Sequence, residues 1–466
     1  LGTYIADDWR VTKKLTLNYG MRWDYFSPPS ESQDRWSNFN IQTGKMDIAG
    51  RNGVGLTAGV KRYWKNFGPR FGFAYQAFPH TTIHGGFGIF YNASGSEAGT
   101  MRMARNIPFG LSLQTTPGDL TPGPIVSQGF APLPPVDFSL ADHPSGVQTA
   151  VDPNFRPSYA EQFNLVGEHE IVPWEMVLKV AGVGNLGRRL YSPYDANQPI
   201  PGPTAVNTRR PLYAINPDVS TVNYFATGGI SQYYALQVTA DKRFNHGVSV
   251  LLGYTWSHAL DNVPLEFGGG ALGPSPQDSR NMAAEFSNSA IDMRHRLTVS
   301  YLWALPFGKG KRFLDHGGLA NLVVGGWQTN GILFTQSGLW FSPVLQTSTT
   351  NGTGSRPDRV GTVSYPKTLD HWFNESAFKN PKPFTYGNAG RNSLVGPGRT
   401  NWDASIFKSF PVHDQAFFEF RLETFNTLNH PQFGYPNASV GNAQVGQITS
   451  VVGNPRNMQA SLRFQF

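Results

Sequence analysis

MQASLRFQF, residues Met458–Phe466, closes the chain. In an extended backbone successive side chains point to opposite faces. Met458, Ala460, Leu462, Phe464 and Phe466 therefore share one side, and Gln459, Ser461, Arg463 and Gln465 share the other. Chain ends are usually polar and frayed. One that alternates without a break and stops on an aromatic ring needs an apolar environment for half of its side chains.

The same period of two recurs upstream, whereas helical periodicity is scarce. In LTLNYGMRWDYF, Leu15, Leu17, Tyr19, Met21, Trp23 and Tyr25 oppose Thr16, Asn18, Arg22 and Asp24. SQYYALQVTADKRF sets Tyr234, Leu236, Val238 and Ala240 against Ser231, Gln237, Thr239, Asp241 and Arg243. RHRLTVSYLWAL has Leu297, Val299, Tyr301, Trp303 and Leu305 on its apolar side. NWDASIFKSF and FFEFRLETF repeat the pattern, with Asp403 in the first and Glu419, Arg421 and Glu423 in the second on the polar side.

Composition narrows what those strands face. Charged residues are 15% of the 466-residue chain, against roughly 25% in soluble proteins, while aromatics reach 13%. No cysteine is present, which excludes disulfide scaffolds and thiolate metal sites. The net charge of +7 is spread along the chain with no block of five or more like charges, so a nucleic-acid partner is not expected. No apolar run is long enough for a transmembrane helix. The start, LGTYIADDWR, has no initiator Met or signal-peptide pattern, which reads as a removed leader or a start partway through a longer protein.

Connection lengths decide between a soluble sandwich and a membrane barrel. Short joints at Thr12–Lys14, Pro79–His80, Val172–Trp174, Asn245–Gly247 and Val412–Asp414 alternate with long Gly-, Pro- and Asn-rich stretches. The long ones are Asn92–Pro157, Ser192–Gly229, His258–Asp292 and Ser342–Arg399. One joint, Gly308–Gly325, belongs to the short side and breaks the size rule. Short turns on one side and long loops on the other describe an outer-membrane barrel, and long structureless loops are uncommon in compact soluble domains.

The expected fold is therefore an all-β, antiparallel transmembrane β-barrel with short periplasmic turns and long extracellular loops. About thirteen strands are countable, against the even number of bacterial single-chain barrels, so an incomplete barrel is expected. With the last strand running towards the periplasm, the first does too, and an external loop should precede it. An unpaired edge in hydrocarbon leaves backbone groups unsatisfied, so the last strand should pair with the first strand of a complete barrel.

Several phrases carry a resemblance. YIADDWRVTKKLTLNYGMRWDYFSPP (Tyr4–Pro29), NFGPRFGFAYQAFP (Asn66–Pro79) and HGGFGIFYN (His84–Asn92) resemble TonB-dependent receptors of Gram-negative outer membranes. YYALQVTADKRFNHGVSVLLGYTWSHALDN, DMRHRLTVSYLWALPFGKGKRF, GGWQTNGILFTQSGLWFSP, YGNAGRNSLVGPGRTNWDASIFKSF and FRLETFNTLNHPQFG are similar to the Oar-like branch. The resemblance implies a barrel of about 22 strands, with residues 1–466 supplying its C-terminal portion. It also implies an N-terminal plug, a segment that contacts TonB and a carboxypeptidase-regulatory-like domain, none recognisable here. Uptake of an unidentified substrate, carbohydrate or peptide, through a plug-gated lumen would follow. A non-transporting structural or adhesive barrel, a barrel-embedded hydrolase and a soluble carbohydrate-binding β-protein are the rivals. The terminal residues Leu462, Phe464 and Phe466 resemble the signal read by the barrel-assembly machinery, and outer-membrane lipid is the expected solvent.

Candidate chemistry is sparse. The 11 histidines are scattered and no H-E-x-x-H or G-x-S-x-G occurs, so no catalytic residue, metal or cofactor is expected. Glu266–Gly273 is glycine-rich without the Lys-Ser/Thr of a phosphate cradle and reads as a flexible external loop. Asp292, Arg294, His295 and Arg296 read as a charged strand end at the external rim. Arg22, Asp24, Asp241, Arg243, Asp403, Glu419, Arg421, Glu423 and Arg463 share the polar parity and are expected to line the lumen, where they would hold a plug or keep the channel wet. Lys242 and Lys408 have lipid-side parity close to short turns and should snorkel to the interface. Trp340, Trp372, Phe373, Tyr386, Arg391 and Asn392 would serve either a sugar or peptide ligand or the packing of the loops.

Overall fold

The computed structural model describes residues 1–92, 101–111, 132–263, 276–315, 317–413 and 416–466, with single positions between 112 and 131. The glycine-rich stretch Glu266–Gly273 lies outside the described residues.

Thirteen long strands follow one another across a single antiparallel sheet in chain order. They are β1 (Gly2–Arg10), β2 (Leu15–Asp24), β3 (Phe67–Phe78), β4 (Thr81–Asn92), β5 (Ser158–Ile171), β6 (Met176–Asp195) and β7 (Val219–Asn245). β8 (Val248–Asp261), β9 (His295–Ala304), β10 (Trp327–Gln336), β11 (Arg399–His413), β12 (Ala416–Phe425) and β13 (Asn457–Gln465) complete the series. Among the described residues β1 pairs only with β2, and β13 only with β12. The short Ser287–Asn288 joins β8, and Gly146–Val151 runs parallel to β7.

The register keeps one set of faces across the whole sheet, because directly opposed residues of an antiparallel pair lie on the same side. Met21 opposes Ile5 and Pro69, and Tyr19 opposes Phe71, which opposes Phe87 and through it Phe163. Further along, Leu236 opposes Trp256, Val299 opposes Leu252 and Leu333, and Leu333 opposes Trp402. The row ends with Phe418 opposite Phe464 and Phe420 opposite Leu462. Phe71, Leu165, Trp256 and Leu462 on this face are exposed, as a surface that meets hydrocarbon must be. Near the short-turn end the rings of Phe418, Phe464 and Phe466 run together, with centroids 4.7 and 5.8 Å apart. Trp and Tyr and their aromatic neighbours gather at such membrane boundaries.

Turn chemistry explains the short joints. His246 (φ 54°) and Gly247 (φ 79°) put both central residues of the β7–β8 hairpin in the left-handed region, the mirror-image turn whose twist matches the strands. The Thr12 hydroxyl accepts from the backbone N–H groups of Lys14 (3.1 Å) and Leu15 (3.0 Å), closing β1 onto β2. A single 3-10 turn, Val172–Trp174, followed by Glu175 at φ 48°, reverses β5 into β6. The β9–β10 joint instead contains a helix, α1 (Leu319–Val324).

The boundaries differ most from the reading of the sequence at one joint. The stretch Ser192–Gly229 was expected as loop, yet β6 continues to Asp195 and β7, 27 residues long, begins at Val219. A membrane crossing needs about 9–11 residues, so β7 projects well beyond it. Above the hydrocarbon neither face has to be apolar, and pairing continues without the alternation that would advertise it.

Candidate functional site

The polar face carries the charges. Arg22 and Asp24 oppose Tyr4 and Gly2, Asp241 opposes Val177 and Leu251, and Asp403 opposes Ile332. Glu423 opposes Ser405, Arg421 opposes Phe407 and Glu419 opposes Ser409, while Arg463 stands directly across from Glu419. These eight residues lie on the same side of the sheet. Arg243 follows Asp241 with the same parity beside a register shift.

They form three groups rather than one site. Arg22 Nε donates to both oxygens of Asp24 at 3.0 and 2.9 Å. Along β12, Arg421 lies between Glu419 (3.2 Å) and Glu423 (3.6 Å), its guanidinium 4.4 Å from the Phe407 ring centroid, and Gln459 donates to Glu423. The third group surrounds a recess of about 630 Å³ lined by Asp241, Arg243, Leu251, Ile332, Asp403 and Glu423. Asp403 also accepts from Asn401 Nδ2 (2.9 Å) and the Asn426 N–H (2.7 Å), so it fixes the exit of β12 as well as lining the recess.

Above the strands the long joints are packed, not loose. Phe39, Met46, Ile48, Ala150, Leu212 and Val222 form one apolar cluster, and Trp36, Val60, Met103, Val151, Phe155 and Phe225 a second. Buried asparagines tie the backbones of different loops together. Asn38 donates to Val151 O (2.9 Å) and accepts from Val151 N–H (2.8 Å); Asn106 donates to Ser37 O (2.7 Å) and Thr149 O (2.8 Å); Asn216 donates to Gly44 O (3.0 Å) and Pro144 O (2.9 Å). Asn38→Ala strands the Val151 amide and carbonyl in a dry interior, at about 1–3 kcal/mol. Faster hydrogen exchange confined to residues 37–60 and 146–155 is the expected readout.

A third cluster, with Phe373, Phe378, Leu394 and Val440, joins the last two external loops. Beside it Arg356 donates two bonds of 2.9 Å to the Glu285 carboxylate and a third to Ala389 O (2.8 Å). Arg391 pairs with Asp261 and donates to Glu285 O at 2.9 Å. Asp292 is fully buried as a side chain; it forms an ion pair with Arg294, whose Nε lies 3.0 Å away, and accepts from the Ala259 N–H (2.7 Å) and His258 Nδ1 (3.2 Å). Arg294 in turn lies over Trp340, 5.7 Å from its ring centroid. His295 turns to the apolar face and bonds to the Tyr254 hydroxyl at 2.9 Å.

The two open readings of the loop aromatics thus separate. Phe373, Arg391 and Asn392 are buried, and Trp372 Nε1 donates to Val395 O at 2.8 Å, so these four pack the loops. Tyr386 receives a bond from Arg280 at 3.2 Å and is half-buried, and burial raises its phenol above the ordinary value. In the first external loop the Glu31 carboxyl is held at about 2, chiefly by the Arg35 side chain and then by the Arg35 amide. Lys45 lowers Asp142 in the same way through a 2.9 Å bond.

Lys242 reaches the short turn beside it, donating to the carbonyls of Asn245 and Val248 at 3.0 Å each, whereas Lys408 departs from the expected snorkelling. Lys408 is buried beneath α1. Among the described residues no three His, Asp or Glu side chains are placed to hold a metal ion.

A sheet of this length, apolar and exposed on one face and charged on the other, with short turns at one rim and packed loops at the other, defines an outer-membrane β-barrel. The chain belongs to the outer membrane beta barrel domain family, whose model matches residues 1–459. It is a protein of the Gram-negative outer membrane. No curated protein matches it. Among solved structures it is similar to the outer membrane transporter YddB from Escherichia coli, at 11% identity and a TM-score of 0.48, covering 99% of this chain and 44% of that one. Similar too are the pyoverdine receptor FpvA from Pseudomonas aeruginosa (11%, TM-score 0.45, 100% and 42%) and the ferric-catecholate import receptor Fiu from E. coli (12%, TM-score 0.43, 100% and 44%). The chain spans less than half the length of each of these structures.

Proposed function

We propose that this chain is the later part of the barrel of an Oar-like TonB-dependent receptor. It supplies wall and external loops, while a plug and a TonB-contacting segment come from sequence outside these residues. The observation that carries the reading is one face kept in register through thirteen strands with charges on β2, β7, β11, β12 and β13, since a face that met only lipid or only protein would have no use for them. The phrases from Tyr4–Pro29 to FRLETFNTLNHPQFG, in the family's order, support it. The charged wall lines the lumen. Arg22 and Asp24, the Glu419–Arg421–Glu423 ladder with Arg463, and the recess at Asp241, Arg243 and Asp403 are where a plug would rest. External loops capture the substrate, carbohydrate or peptide, and energy delivered through TonB moves the plug. Leu462, Phe464 and Phe466 present the last strand to the barrel-assembly machinery.

The test is uptake by cells carrying the protein, supplied separately with a fluorescent oligosaccharide pool and a fluorescent peptide digest. Periplasmic accumulation of one pool that stops when TonB is removed is expected. Label that stays on the surface and is indifferent to TonB would replace transport by the structural or adhesive reading.

A further inference from the structure

The β9–β10 joint, residues 305–326, is the long member of the short-turn side, and its described residues, 305–315 and 317–326, are folded. The Gly308 N–H donates to Phe313 O (2.9 Å), the Phe313 N–H to Pro306 O (3.0 Å) and the Gly310 N–H to the Asp315 carboxylate (2.6 Å). The Lys309 N–H reaches Asn321 Oδ1 at 2.8 Å, which ties the turn to α1. Gly308 is at φ 109°, and a Cβ there would sit 2.6 Å from the Gly325 Cα, so the two ends of the joint close on each other only through glycine.

What this small unit offers outward is apolar. Leu319, Leu322 and Val323 of α1 are 81, 55 and 65% exposed, and Phe313 and Leu314 beside them are about half exposed. Lys309, Lys311 and Arg312 stand exposed in the preceding turn. The helix also lies against the apolar face of the sheet. Lys408, on that face of β11, donates to the carbonyls of Leu322 and, at 3.4 Å, Asn321. Trp327, opposite Lys408 in the register, donates from Nε1 to Val323 O at 2.8 Å. The carbonyls of the helix end are thus satisfied by Lys408 and Trp327, and these three are not left for hydrocarbon.

We propose that residues 305–326 form a membrane foot: α1 lies in the periplasmic leaflet with Leu319, Leu322 and Val323 among acyl chains, and Lys309, Lys311 and Arg312 engage the phosphates of anionic phospholipid. The foot rests on the reading that the apolar face of the sheet meets lipid. Continuity of α1 with that face through Lys408 and Trp327, and cations placed beside an apolar helix, select a phospholipid leaflet as the occupant.

The chain has no cysteine, so Leu319→Cys, Val323→Cys and Val299→Cys each give a unique site for an environment-sensitive fluorophore. The labelled full-length protein is placed in phosphatidylcholine vesicles containing a shallow spin-labelled lipid, with and without phosphatidylglycerol. Quenching by the lipid at 319 and 323, protection there from aqueous iodide, and a gain with phosphatidylglycerol that Lys309→Glu, Lys311→Glu and Arg312→Glu together abolish are expected. Each cation should shift the bound-to-exposed ratio about fivefold. A label at 299 reached by a deep spin-labelled lipid while 319 and 323 stay open to iodide overturns the foot and leaves the membrane reading intact. If 299 is not reached either, the membrane reading itself has failed. Quenching that ignores phosphatidylglycerol overturns the head-group assignment.

Discussion

Val299→Arg should destabilise the folded protein in lipid vesicles by about 2–4 kcal/mol, whereas Ser300→Arg, one residue on, should change it by no more than about 0.5 kcal/mol. Both positions lie at the middle of β9. Val299 stands between Leu252 and Leu333 on the apolar face, and Ser300 between Leu251 and Ile332 on the charged face. Both positions are paired on both sides of the strand and both end as Arg, and strand propensities span only about 1 kcal/mol, so the larger part of the difference reports what each face touches. Denaturant unfolding in vesicles, followed by tryptophan emission, reads it. Equal costs, or the larger cost at Ser300, would mean that the faces have been assigned the wrong way round.

Glu285→Ala should cost about 3–5 kcal/mol, because it leaves the Arg356 guanidinium charged and without its partner in a dry interior. Both side chains are nearly inaccessible, and the pair links two external loops far apart in the chain. The loss should appear as faster hydrogen exchange and protease cutting within residues 276–294 and 337–398, with strand protection unchanged. Replacing both, as Glu285→Met with Arg356→Met, should recover most of it, since an apolar pair of similar volume carries no buried charge. A double variant as unstable as the single one would place the effect in packing, not charge.

The strands were legible because a bilayer forces every second side chain to be apolar. Tyr19, Val299 and Phe464 announce their faces without any knowledge of their neighbours, and the thirteen strands follow in order. The loop layer was not legible for a physical reason. Its determinants are pairs such as Arg356 with Glu285 and Arg391 with Asp261, 71 and 130 residues apart, and no local period marks them. Asn38 and Asn216 look like ordinary turn residues until the chain they bond to is in place. The β9–β10 joint was visible as an exception in length, but LANLVV is too short to show helical periodicity. Lys408 on the wrong parity was its one trace, explained only once the Leu322 carbonyl was seen above it.

The most direct test of the central claim is a nitroxide scan of seven consecutive single-cysteine sites, Leu297 to Trp303, in the protein embedded in outer-membrane lipid. Oxygen and a water-soluble nickel chelate report hydrocarbon and water at each label. Labels at 297, 299, 301 and 303 should favour oxygen, and those at 298, 300 and 302 the nickel chelate, in strict alternation. Labels that respond alike along the strand, or alternate in the opposite phase, would contradict a lipid-facing side and a water-facing side.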